Sequence, residues 1–271
     1  MKNTLNFEEP PANFNAWIVN LGTELLTGFT QNTNASWLAR KLTFLGYAVR
    51  RVIVVPDDYI EFKEELIRGI EKGVGVIITT GGLGPTYDDS TLTMISRALS
   101  LPLEINDSAL QMVKSYYDKL GKELTEERLK MAKMPRGAVP LENPVGAAPG
   151  MLLKARNSYI ISLPGVPKEM TSIFEKWIEP KLSVWNRNLV IEETLGIRGI
   201  MESAIAPYLN SLVRDFPRAY IKTHPRGTEG EPYIVVQIMI SSNSAEDLQK
   251  DIVKIKERLL EIVRVLGGKI E

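Results

Sequence analysis

Three short apolar runs alternate with segments of helical spacing through the first third of the chain, and that alternation restricts the fold more than any other feature. Ala16-Trp17-Ile18-Val19-Asn20-Leu21, Val49 to Val55 and Val74 to Thr80 read as buried strands. Between the first two, Ala35, Leu38, Leu42 and Leu45 keep helical spacing behind a cap at Asn32 or Thr33, and Gly46 ends the helix. Between the second and third, Tyr59 to Lys72 places Phe62, Leu66 and Ile70 on one face. Repeated strand–helix–strand units imply a mostly parallel sheet wrapped on both faces by helices, an α/β fold. Further on, Ser108 to Lys133 is helical with a break near Gly121, and Pro135 to Pro149 is loop-rich. Met151 to Lys154 and Tyr159 to Leu163 read as paired strands, and Lys168 to Leu182 as a helix.

After about residue 183 the pattern changes. A strand (Leu189 to Ile197), a helix (Met201 to Phe216), two strands (Ala219 to Thr223, Tyr233 to Ser241) and a long helix (Ala245 to Leu266) make a small α+β domain. The expected organisation is an N-terminal arm over 1–15, a first domain over 16–182 and a second over 183–271, with the arm loose. The N-terminal residues lack the basic start and apolar core of a signal peptide. No apolar run approaches membrane-spanning length.

Composition removes several chemistries. Lys+Arg and Asp+Glu are both 33, a formal charge of +0, which argues against a generic nucleic-acid or acidic-membrane binder. The absence of cysteine excludes disulfides, iron–sulfur clusters, cysteine zinc sites and thiol catalysis, and fits a cytoplasmic location. His224 is the sole histidine, so no multi-histidine metal site exists. The second domain has no basic-flanked Gly-x-x-Gly loop between helices, so RNA binding is not expected of it.

The chemistry gathers where the third strand ends. Thr79-Thr80-Gly81-Gly82-Leu83-Gly84-Pro85-Thr86-Tyr87-Asp88-Asp89-Ser90-Thr91 joins that strand to a helical pattern, Leu92 to Leu99. Glycines let backbone N–H groups crowd an anion, and the helix start adds positive dipole. The aspartates would repel that anion unless a cation lies between. Asp88, Asp89 or Ser90 can also simply cap the helix. Company favours the site: Asp57 and Asp58 follow the second strand and Gly22-Thr23-Glu24 the first, all at the sheet edge where ligands of open α/β folds bind. Hard oxygen ligands of this kind suit magnesium or manganese. The Pro164–Pro167 turn serves equally as a rigid helix start or as a phosphate contact through Lys168.

Several motifs resemble the CinA family: Gly22-Thr23-Glu24-Leu25-Leu26-Thr27-Gly28, Asn32-Thr33-Asn34-Ala35, Thr80 to Thr86 with Asp88-Asp89 and Thr91, Asn143-Pro144-Val145-Gly146, Ala148-Pro149-Gly150 and Leu163 to Met170. The resemblance implies the molybdopterin-binding-like three-layer αβα fold shared with MoaB, MogA, MoeA and gephyrin, followed by a small KH-like domain. It also implies a metal-dependent ADP-ribose pyrophosphatase, acting on ADP-ribose or a dinucleotide such as FAD. The metal would be magnesium, manganese or cobalt, held by Asp57, Asp58, Asp88 and Asp89. The catalytic groups would be Glu24, Asp58, Asp88 and Asp89. Substrate would meet Gly22, Thr23, Asn34, Thr80, Gly81, Gly82, Leu83, Gly84, Pro85, Thr86, Asn143, Gly146, Gly165 and Lys168. A homo-oligomer is expected on the same basis, and the deamidase domain of many bacterial relatives is not expected in these residues. Thr23 stands where the family often carries aspartate. Two other readings use the same crevice: a molybdopterin protein of cofactor biosynthesis, and a non-catalytic nucleotide-binding module.

Overall fold

The alternation becomes, in the computed structural model, a six-stranded sheet whose first three strands diverge around one central strand. The structure describes residues 9–186, 188–228 and 230–271, and the chain divides into two units, the second being 187–271 together with Phe44–Gly46. The first begins with β1 (Asn15–Leu21), a single-turn α1 (Thr23–Leu26), α2 (Thr33–Phe44), β2 (Ala48–Val55), α3 (Tyr59–Glu71), β3 (Val76–Thr80) and α4 (Thr91–Ala98). It continues through β4 (Leu103–Ile105), α5 (Asp107–Lys119), α6 (Glu126–Lys130), β5 (Lys133–Pro135) and β6 (Val139–Leu141). It closes with β7 (Gly150–Ala155), β8 (Ser158–Leu163), α7 (Pro167–Ile173) and α8 (Glu179–Trp185). A π-helical turn, Phe174–Ile178, joins α7 to α8 where the sequence pattern reads as one helix. Pro180 supplies the physical reason, since it cannot donate to the ladder of a continuous α-helix.

The sheet order is β2-β1-β3-β8-β7-β6; the first four strands run parallel, and β7 and β6 add antiparallel. The chain goes from β1 outward to β2, then returns across β1 to β3. The carboxyl ends of β1 and β3 therefore flank a topological switch point, where a crevice opens in such sheets. Side chains alternate across β1: Trp17, Val19 and Leu21 join a core with Phe62, Leu66 and Ile70 of α3, Ile95 of α4 and Val113 of α5. On the opposite face Ile18 is fully buried, as are Leu38 and Leu42 of α2.

Asn20 ties the strand ends together. It is fully buried, donates through Nδ2 to the Ile53 carbonyl of β2 (3.1 Å), and accepts from Thr80 Oγ1 of β3 (2.9 Å). Asn32 caps α2 by accepting from Ala35 N at 3.1 Å.

The arm differs from expectation. Residues 1–8 lie outside the described residues, but residues 9–15 are tied down. Asn13 donates to the Gly73 carbonyl (2.6 Å) and accepts from Gly75 N (3.2 Å), Glu9 pairs with Lys154 (3.1 Å), and Asn15 already belongs to β1.

The second unit comprises β9 (Leu189–Arg198), α9 (Glu202–Asp215), β10 (Ala219–Pro225), β11 (Tyr233–Ser242), α10 (Ala245–Val265) and β12 (Lys269–Ile270). Its sheet is antiparallel in the order β10-β11-β9-β12. That is the order of a split βαβ sandwich, with two helices and four strands. Where a KH-like domain was expected, the two-residue β12 completes this arrangement by pairing with Arg198 and Ile197. Ile205 and Leu212 of α9 and Ile252, Ile255 and Leu259 of α10 bury against Val236 and Ile238 of β11.

Asn20→Ala strands the Ile53 carbonyl and the Thr80 hydroxyl and leaves a void. It should lower stability by about 1–3 kcal/mol, read as a fall in the denaturant midpoint by tryptophan fluorescence.

Candidate functional site

The crevice at the switch point has a volume of about 520 Å³, within the range of small-molecule sites. Its floor is the glycine turn, whose shape follows from packing rather than from flexibility. Gly81 has φ +98°, and a Cβ there would stand 2.4 Å from the Leu21 carbonyl oxygen. Its N–H donates to the Leu163 carbonyl of β8 at 3.0 Å. Gly82 has φ +66°, and its missing Cβ leaves room for Thr91 Oγ1. Thr91 in turn donates through Oγ1 to the Gly81 carbonyl (2.9 Å) and through N to the Gly82 carbonyl (3.1 Å), locking the turn onto α4. The amides of Gly82, Leu83 and Gly84 donate to no acceptor among the described residues. Three successive free N–H groups beside a crevice are the donor set an anion requires.

Asp88 and Asp89 stand beside those amides. Asp88 Oδ1 lies 2.5 Å and Asp89 Oδ2 2.6 Å from Thr86 Oγ1, and Asp89 Oδ2 also accepts from Thr86 N at 2.9 Å. One hydroxyl carries one proton, so it cannot donate fully to two carboxylates. The Thr86 hydroxyl, helped by backbone amides and by Lys130, holds the Asp88 carboxyl below its usual range. Asp88 therefore keeps its charge to a lower pH than an ordinary aspartate, and the stability tied to its ionised form is lost as the pH falls through that lowered value. Lys130 also donates to the Thr86 carbonyl.

The five carboxylates expected at one edge take separate roles. Asp57 lines the crevice but is engaged, accepting from Thr23 N (3.0 Å) and Thr23 Oγ1 (3.1 Å). Thr23 thereby anchors α1 and is not itself a lining residue. Asp58 is outside the lining and caps α3, accepting from Ile60 N (2.8 Å) and Glu61 N (3.1 Å). Glu24 lines the crevice with its carboxylate folded over Gly22, 2.4 Å from where a Gly22 Cβ would be. Among the described residues, no group of three or more His, Cys, Asp or Glu side chains is placed to hold a metal. Asp88 and Asp89 are neighbouring carboxylates that both line the crevice and meet at the Thr86 hydroxyl.

On the other wall, Asn34 lines the crevice and donates through Nδ2 to the Gly165 carbonyl at 2.7 Å. Lys168 is exposed and outside the lining. Pro167 opens α7 as a helix start. Asn143 and Gly146 shape the wall from behind: Asn143 Oδ1 accepts from Val145 N (3.1 Å) and Gly146 N (2.8 Å). Thr80, Leu83, Pro85 and Gly165 lie in the lining; Thr86 does not. Sequence reasoning missed Tyr117, Met131, Ala147 and Glu169, which also line the crevice. The Arg128 guanidinium stacks over Tyr117, 4.2 Å from its ring centre.

Comparison with known proteins gives consistent kinships. Residues 17–184 match the family model described as "Probable molybdopterin binding domain". A protein from Aeropyrum pernix is 46% identical over 94% of this chain and 96% of its own length, and one from Pyrobaculum arsenaticum is 47% identical over 93% and 96%. The crystal structure of a protein titled CinA, of unknown function, from Thermoplasma acidophilum is 40% identical; it covers 62% of this chain and 98% of that one, with a TM-score of 0.58.

Gly81→Ala should be among the most damaging single substitutions. The left-handed backbone costs about 1–2 kcal/mol, and the added methyl meets the Leu21 carbonyl. The expected result is a lower thermal midpoint and loss of anion-dependent stabilisation in the same scan.

Proposed function

This chain belongs to the molybdopterin-binding domain family of the CinA/MoaB type, and we propose that its crevice is a metal-dependent pyrophosphatase site for ADP-ribose or a related dinucleotide such as FAD. The observation that carries the reading is the juxtaposition of three unpaired amides, at Gly82, Leu83 and Gly84, with the Asp88/Asp89 pair. The amides receive diphosphate oxygens, and the helix start of α4 adds its dipole. Asp88 and Asp89 would hold the cation, which when bound would neutralise charge on the diphosphate and acidify a coordinated water. Glu24 makes no side-chain hydrogen bond among the described residues, so it is the crevice carboxylate available to take a proton. Tyr117, Met131, Ala147 and Ala148 supply an apolar wall for the flat ring of the substrate.

The family match supports a second reading, in which the same amides bind the phosphate of a pterin. Tight pterin binding without dinucleotide cleavage would favour it.

Purified protein with magnesium, manganese or cobalt should release AMP from ADP-ribose, followed by chromatography, and chelation should abolish the release. Asp88→Asn and Asp89→Asn should each lower kcat/KM by about 100-fold or more, the usual cost of removing one electrostatic stabiliser of the transition state. Asp58→Ala should instead cost about 1 kcal/mol of stability through the lost cap, with the rate per folded molecule unchanged. Undiminished release by Asp89→Asn would sink the site assignment.

A further inference from the structure

Glu169 is a carboxylate in an anion-binding crevice, and nothing in the diphosphate reading uses it. It lines the crevice from the first turn of α7. Its Oε2 accepts from Asn143 Nδ2 at 2.7 Å, while Oε1 has no partner among the described residues, and no Lys or Arg among them pairs with it. The wall loop is cut away to admit it: a Cβ on Gly146 would lie 2.4 Å from Glu169 Cδ. Asn143 has spent its whole side chain on this arrangement, donating also to the Ala148 carbonyl (2.9 Å) and accepting from two loop amides. A carboxylate serving only the helix dipole would need neither the clamp nor the missing side chain.

A second acceptor stands at the same wall without a donor. Asn34 is only 8% exposed, its Nδ2 is committed to Gly165, and its Oδ1 has no hydrogen-bond partner. A buried acceptor left unpaired is costly, and such groups gain most from a ligand that supplies the proton. Glu169 and Asn34 flank the Pro164–Pro167 turn. Each keeps one acceptor oxygen without a donor, Glu169 Oε1 and Asn34 Oδ1, and both residues line the crevice above the glycine turn. A ligand satisfying both halves is anionic at one point and rich in O–H or N–H donors nearby.

We propose that Glu169, held by Asn143 and assisted by Asn34, accepts hydrogen bonds from the vicinal hydroxyls of a ribose and so selects ribonucleotide diphosphates. The inference rests on the nucleotide reading given above. A carboxylate presents two oxygens to adjacent hydroxyls, which is how acidic residues read ribose at other α/β switch points. Asn143 is the positioning residue, and Glu169 is the group that touches the ligand.

Calorimetry with non-hydrolysable methylene analogues and magnesium tests this on the full chain. The ligands are the analogues of ADP-ribose, of ADP, and of 2′,3′-dideoxy-ADP. The step from ADP-ribose to ADP removes the terminal ribose, and the step from ADP to its dideoxy form removes the hydroxyls of the adenosine. In the unmodified protein one of these steps should weaken binding by about tenfold or more. In Glu169→Gln that penalty should fall to about twofold or less, the other step being unchanged. Glu169→Asp, which keeps the charge but withdraws it by one methylene, should give an intermediate penalty, and thermal midpoints establish that both variants fold. Penalties for both steps that survive intact in Glu169→Gln overturn the proposal while leaving the diphosphate site standing. If none of the three analogues binds the unmodified protein, the nucleotide reading fails and this proposal fails with it. Binding of a reduced pterin phosphate that depends on Glu169 would replace ribose by the pterin amino group.

Discussion

The contact of Gly81 with the end of β1 is the constraint on which the crevice depends. An added methyl at Gly81 would lie 2.4 Å from the Leu21 carbonyl, so the turn can pass this close to β1 only as glycine. The same residue is bonded to β8 through the Leu163 carbonyl and to α4 through Thr91 Oγ1. Gly165 also packs against it, since a Cβ there would meet Gly81 Cα at 3.4 Å. Two strand ends, one helix start and the turn before α7 therefore take their positions from one residue without a side chain. Asn20 stabilises the same edge from below by bridging β2 and β3. Rigidity of this sort is what an anion site needs, because amides held in place cost no reorganisation when the charge arrives.

Charge in the crevice is arranged by hydrogen bonding rather than by numbers. Asp57 is occupied by Thr23, Asp58 by the amides of α3, and Glu169 by Asn143 on one oxygen. Asp88 and Asp89 share a hydroxyl that cannot satisfy both, and the Glu24 carboxylate makes no hydrogen bond among the described residues. The free amides of the glycine turn are adjacent.

Much of this was legible in the sequence, because it depended on local chemistry. Strand–helix alternation announced the parallel sheet, Asn32 announced the start of α2, and the glycine run marked the turn. What failed was the assignment of neighbours. Asp57 and Asp58 are adjacent, yet one faces the crevice and the other caps a helix; the signal was present in Asp58 with Glu61 three residues on, the spacing of a capping box. Tyr117 and Met131 were out of reach, since α5 and α6 come to the crevice only through tertiary packing. Glu169 was not among the expected site residues, because the Asn143 clamp and the Gly146 opening that position it are 26 and 23 residues away in sequence. β12, at two residues, is too short to carry a pattern.

The most direct test is a crystal structure with manganese and the methylene analogue of ADP-ribose, with the metal located by anomalous scattering. One manganese peak is expected at Asp88 and Asp89, bridging to diphosphate oxygens that rest on the amides of Gly82 to Gly84. A metal peak away from both aspartates, or a diphosphate bound elsewhere in the crevice, would contradict it.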